Sequence, residues 1–164
     1  MRPAPLPAGP GQESVWDYPR PPRLEHVDAR VTIDLGGERI VDTTDVVRVL
    51  ETSHPPVYYL PIAAFAPGAL RPTRGSSFCE FKGGARYLAV RGGDVEVDRA
   101  AWNYPTPSPG FEELADRVAV YAGPMDACTV DGEVVVPQAG GFYGGWVTSD
   151  VVGPFKGEPG TMGW

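Results

Sequence analysis

Cysteine is almost missing from this chain. Only Cys79 and Cys128 occur among 164 residues, too few for a disulfide framework; one bridge between them is geometrically allowed, and reduced thiols are the expectation. Histidine is as scarce, with only His26 and His54, and these four residues show no paired metal-ligand spacing. No metal site and no cofactor is expected. Basic residues are outnumbered: 14 Lys and Arg stand against 21 Asp and Glu, for a formal charge of −7 and a pI near 4.8. That balance repels a phosphate backbone, and no basic stripe offsets it, so nucleic acid is excluded as a partner. Long apolar runs are absent too. None approaches the roughly 20 residues that cross a bilayer, and the N-terminus lacks a signal-peptide core. The expectation is a cytoplasmic protein without a membrane partner. A Walker-type phosphate loop, a dinucleotide fingerprint and a nucleophile elbow are likewise missing.

What the chain does have is turn formers. Glycine numbers 21 and proline 19, yet 42% of the residues are hydrophobic, arranged in short alternating runs bounded by Gly, Pro and Asp. This pattern reads as a mainly β protein with a single core. Residues 1–23 form a proline-rich arm, with prolines at 3, 5, 7, 10, 19, 21 and 22 favouring extended backbone. Trp16 and Tyr18 are too apolar to be left in water, so the arm is expected to pack back on the domain or on a partner subunit. Residues 24–139 form the β domain. Residues 140–164 are rich in glycine and aromatics (Phe142, Tyr143, Trp146, Phe155, Trp164) and are expected to wrap apolar surface as part of the same domain.

Three hairpins follow from glycine placement: Gly36-Gly37 after Val31–Leu35, Gly92-Gly93 after Tyr87–Arg91, and Asp131-Gly132 after Cys128–Val130. They predict antiparallel sheets. Asp42–Leu50 reads as either a short helix or a buried strand, and the β-branched Val46, Val47 and Val49 favour the strand. Val57–Leu60, between Pro55-Pro56 and Pro61, is expected to be a short strand near a sheet edge. One helical turn is expected within 61–70, and Val118–Tyr121 is a strand candidate.

The stretch Ser77–Tyr87 carries most of the chemistry, because it crowds Cys79, Lys82 and aromatics around Gly83-Gly84, where a ligand could approach the backbone. Lys82 is a candidate anion binder, or else a solvated lysine at a hairpin edge. Cys79 beside it is either a nucleophile lacking a placed base or an inert thiol. Glu51–Tyr59 puts a carboxylate, hydroxyls and an imidazole before a proline-stiffened strand, which suits a binding loop or a plain turn. The alternating acids Asp94, Glu96 and Asp98 could hold magnesium for nucleotidyl transfer, but if Val95 and Val97 point to the core the acids simply face solvent.

Several blocks together resemble a known family. They are Trp16 with Tyr18-Pro19-Arg20-Pro21-Pro22, Val49 through Pro61, Ser77 through Tyr87, Ala101-Trp102-Asn103-Tyr104-Pro105, Val118–Tyr121, Asp131-Gly132-Glu133, and Gly141 through Trp146. The chain resembles the family called domain of unknown function 427. The resemblance implies a β-tent-like fold of antiparallel sheets and a pocket whose candidate lining residues are Lys82, Glu51, Ser53, Tyr59, Tyr87 and Trp102. It implies no established activity and only a distant nucleotidyltransferase relation. After Pro61, where relatives often carry an acid followed by Val, this chain has Ile62-Ala63-Ala64-Phe65.

The leading expectation is therefore a domain that binds an unidentified small molecule, with Lys82 on an anionic or carbonyl group, Trp102, Tyr59 and Tyr87 as aromatic walls, and Glu51 fixing orientation. An enzyme using Glu51 as acid or base and Lys82 as electrophile is the second expectation, its catalytic residues otherwise unassigned. A structural module forming a homodimer through the aromatic arm and tail is the third.

Overall fold

The computed structural model describes residues 2–79 and 81–164. Strand β1 (Glu13–Ser14) comes first, and a 3-10 turn, Val15–Asp17, follows with the Ser14 hydroxyl accepting from the Trp16 N–H. Next come β2 (Arg23–Val27), β3 (Val31–Leu35), β4 (Glu38–Thr43), β5 (Val46–Leu50) and β6 (Val57–Pro61), then a 3-10 turn at Ile62–Ala64. Two ten-residue strands, β7 (Leu70–Cys79) and β8 (Gly83–Gly92), precede β9 (Val95–Asn103). A third 3-10 turn, Glu112–Asp116, leads into β10 (Arg117–Val120) and β11 (Ala127–Val130). Four two-residue strands close the chain: β12 (Glu133–Val134), β13 (Val136–Pro137), β14 (Trp146–Val147) and β15 (Val151–Val152). No α-helix occurs among the described residues.

The strands form a seven-stranded sheet in the order β2-β5-β6-β10-β9-β8-β7 and a four-stranded sheet in the order β12-β11-β3-β4. Every pairing within these two sheets is antiparallel. The protein is thus mainly β, built from hairpins, as the alternating pattern predicts. The Gly36-Gly37 and Asp131-Gly132 turns both adopt positive φ at both residues, the backbone that matches strand twist. The middle hairpin turns one residue later than expected, because Gly92 still pairs with Val95 and the turn is Gly93-Asp94. The two glycine turns also touch. A Cβ on Gly36 would lie 2.0 Å from the Gly92 carbonyl oxygen, so contact between the hairpin tips requires a bare Cα there.

Two sequence expectations need correction. β6 is not near an edge but lies between β5 and β10. Its prolines do not interrupt the ladder, because Pro55 and Pro56 precede the strand and Pro61 is its last residue. Val95 does not point to the core; it is exposed beside the turn, whereas Val97 packs against the core. The acids do face solvent, where Glu96 pairs with Arg71 at 2.7 Å and Asp98 accepts from the Thr73 hydroxyl.

Alternation along the strands divides the seven-stranded sheet into two faces. Val46, Tyr58, Leu60, Val118 and Val120 point toward the four-stranded sheet and pack with Val31, Ile33, Leu35, Ile40 and Val41. Their neighbours Val47, Val49, Tyr59 and Ala119 point the other way and cluster with Trp102, Tyr104, Phe111 and Leu114. The arm and the final residues meet beside these faces. β1 and β15 pair in parallel, Trp16 lies 5.7 Å from Trp164 between ring centroids, and the Trp16 Nε1–H donates to the Pro154 carbonyl. A nearly buried Arg48 ties β1 to the main sheet by pairing with Glu13 at 3.0 Å and Glu25 at 2.6 Å. Burial alone would lower its affinity for the proton, but the two carboxylates more than offset this and raise it.

Candidate functional site

On the second face of the large sheet the aromatic cluster does not close completely. β5, β6, β8, β9 and the end of β7 form the floor of a cavity of about 310 Å³, roofed by the segment 138–144 and by Lys156. Such a volume suits a small organic molecule. The period of two puts Val49, Val57, Tyr59, Tyr87, Trp102 and Tyr121 on this floor from five neighbouring strands or strand ends. Tyr59 is held by the Trp102 indole N–H, which donates to its hydroxyl at 3.3 Å. Burial raises the Tyr59 phenol well above its ordinary value and pushes Tyr121 up to about 12, so both are neutral hydroxyls at physiological pH.

Of the six sequence candidates, Lys82, Glu51, Tyr59, Tyr87 and Trp102 all line this cavity, and Ser53 does not. Ser53 lies behind the wall, fully buried, with φ +74 and a hydroxyl that finds no hydrogen-bond partner. Its backbone instead joins three parts of the chain: its N–H donates to the Val15 carbonyl and its carbonyl accepts from the Lys156 N–H. The left-handed backbone of a non-glycine residue costs free energy and here turns the loop that carries Glu51 and His54. Glu80, in the middle of the Ser77–Tyr87 block, lies outside the described residues.

Lys82 follows the end of β7 and sits at 9% exposure, not solvated at a hairpin tip. Its ammonium lies 5.8 Å from the centre of the Tyr104 ring, and no carboxylate of the described residues comes within ion-pairing distance. Lys156 enters from the opposite end of the chain, with its Nζ 5.5 Å from the Tyr143 ring centre and 3.4 Å from the Trp164 carbonyl oxygen. Glu51 is the one carboxylate lining the cavity among the described residues, and Arg20 pairs with it at 3.5 Å.

His54, Gln138 and Lys156 were not singled out as lining residues by the sequence. The Gln138 amide is fully engaged: its oxygen accepts from the Gly145 N–H, and its nitrogen donates to the Lys156 carbonyl and to His54 Nδ1 at 3.1 Å. This fixes the His54 tautomer, because a ring nitrogen that accepts cannot carry the proton. The proton is on Nε2, which faces Glu51 Oε2 at 3.8 Å. Burial, reinforced by the Lys156, Arg20 and Lys82 cations, pushes His54 down to about 3. The imidazole is therefore neutral. Its proximity to Glu51 in sequence offered a clue, whereas Gln138 is 84 residues from its imidazole partner and nothing local marks it.

Cys79 lines the cavity as a free thiol, while Cys128 is buried in the closed core, where burial pushes its thiol up to about 12. His26 pairs with Glu113 at 2.7 Å on the surface. Among the described residues no three His, Cys, Asp or Glu side chains gather as a metal site would require.

No curated protein matches this chain. A family model does, over residues 23–131, which include the cavity floor together with Glu51, His54 and Lys82; with most of the chain matched, the protein belongs to the family described as Domain of unknown function (DUF427).

Proposed function

We propose that the cavity binds a small planar anion, an aromatic carboxylate being the simplest example. The observation that carries this reading is Lys82, a nearly buried ammonium lining an aromatic cavity with no carboxylate partner among the described residues. Removing a charge from water is costly unless an opposite charge replaces the solvent, and an entering anion supplies that charge. The rings of Tyr59, Tyr87, Trp102 and Tyr121 offer flat apolar contact, and the neutral His54 leaves the cationic balance to Lys82 and Lys156.

The test compares naphthalene-2-carboxylate with the isosteric neutral naphthalene-2-carboxamide by calorimetry. The carboxylate is expected to bind at least tenfold more tightly, and Lys82→Met is expected to abolish the difference. Equal affinity for the two, or a preference that survives Lys82→Met, overturns the reading.

The Glu51–His54 pair favours a second reading, an enzyme of unassigned reaction in which Glu51 moves a proton and Lys82 stabilises developing negative charge. Glu51→Gln keeps the wall's shape and removes the base. Under this reading the variant retains the naphthalene carboxylate and loses turnover.

A further inference from the structure

A second cavity of about 540 Å³ lies beside the first. The two share Tyr87, Tyr121, Gln138, Phe142, Tyr143 and Gly144, so they are neighbouring chambers that meet along one strap. The strap is fixed, because the Tyr121 hydroxyl donates to the Phe142 carbonyl at 2.8 Å and the Gly144 Cα lies against the Trp102 ring, where a Cβ would come within 2.0 Å of the indole edge.

The second chamber has its own cation. Leu88 pairs with Ala101 and Val90 with Val97, so residues 98–100 bulge out of β9 opposite Ala89, and Arg99 takes φ +52. On β7 the register also breaks, between Pro72 and Ser76, with Gly75 at φ +110. These irregularities bring the Arg99 guanidinium to 4.5 Å from the Tyr87 ring centre and against Gly75, where a Cβ would come within 3.1 Å of Cζ. The group is therefore stacked and positioned, yet no carboxylate of the described residues lies within ion-pairing distance of it. Asp98 also lines this chamber, but its carboxylate is engaged by the Thr73 hydroxyl. A planar fork of N–H donors matches a carboxylate in shape. One guanidinium beside an acid also suits a single negative charge better than the near-double charge of a phosphate.

We infer that the two chambers form one bipartite site for an elongated planar dicarboxylate, with one acid group at Lys82 and the other on the N–H edge of Arg99. The inference rests on the reading of the first chamber as an anion site. It adds that Tyr87, which lines both chambers, supports the ligand between its charged ends, and that Arg99 selects for the second acid.

Calorimetry on the full chain tests it with matched probes: naphthalene-2-carboxylate against naphthalene-2,6-dicarboxylate, and biphenyl-4-carboxylate against biphenyl-4,4′-dicarboxylate. At least one diacid is expected to bind about tenfold more tightly than its monoacid. Arg99→Gln is expected to remove that gain and leave monoacid affinity unchanged, while Lys82→Met weakens both members of each pair. Arg99→Lys, which keeps the charge and loses the fork, is expected to retain only part of the gain. If the monoacids bind and neither diacid improves on them, or if Arg99→Gln weakens both members equally, the bipartite site is wrong and the first chamber stands. If no acid binds the wild-type chain, both readings fall together.

Discussion

Along β6, Tyr58 and Leu60 enter the core shared with the four-stranded sheet, whereas Val57 and Tyr59, each one residue away, face the cavity. The two faces are cut from the same strands and are about equally apolar in sequence. What separates them is their cover. The inner face meets a second sheet and the Trp146 ring, which stacks on Tyr58 at 5.2 Å and donates its Nε1–H to the Val120 carbonyl. The outer face meets loops and a strap, which cannot follow a pleated surface as closely, and the gap is lined by phenols, a neutral imidazole and an ammonium with no carboxylate partner among the described residues. One face therefore contributes mainly to stability and the other gives up some stability to keep a polar cavity.

Substitutions on each face should separate these contributions. Trp146→Ala on the inner face removes a fully buried ring and its hydrogen bond, and is expected to cost about 4 kcal/mol in a denaturant titration. A loss below about 1 kcal/mol would show that the inner face is no better packed than the outer.

A pH effect of intermediate size should come from the outer face. His54 titrates at about 3 when folded and near 6.5 when unfolded. Its contribution is full above pH 6.5 and is lost as pH falls toward 3, because the unfolded chain takes up the proton first. Between pH 6.5 and 4.5, above most carboxylate titration, the wild type is expected to lose roughly 2 kcal/mol that a His54→Asn variant does not lose. Parallel pH profiles for the two proteins would mean that His54 takes up its proton as readily in the folded as in the unfolded chain.

The smallest expected effect has the opposite sign. Lys82→Met replaces a nearly buried ammonium, without a carboxylate partner among the described residues, with an apolar chain of similar length, and is expected to leave stability unchanged or raise it by up to about 1 kcal/mol. A clear loss of stability would assign Lys82 a structural role and erase the contrast between the faces.

The β architecture was legible because it is local. Alternation marked the strands flanking the three predicted turns, and glycine or Asp-Gly pairs located those hairpins to within one residue, whereas β2 carried no such signal. β6 was misplaced in the sheet because proline bars only the ladder positions it occupies, and its prolines fall at the strand's limits. The cavity was legible on one side only. Lys82, Tyr87 and Trp102 lie in compact blocks on adjacent strands, and Glu51 and Tyr59 flank one loop. The other wall, Gln138, Tyr143 and Lys156, is brought in by contacts between distant parts of the chain, and Ser53 belongs to the loop's support and not to the cavity. No spacing rule reports such contacts.

The parallel pairing of Glu13 with Val151 and Ser14 with Val152 joins the arm to the last strand. The roof of the cavity, 138–144 with Lys156, follows every strand of the large sheet in the chain. The loop carrying Glu51 and His54 is anchored from the same region, by the Lys156 N–H on the Ser53 carbonyl. Both parts of that roof thus come from sequence beyond the last strand of the large sheet.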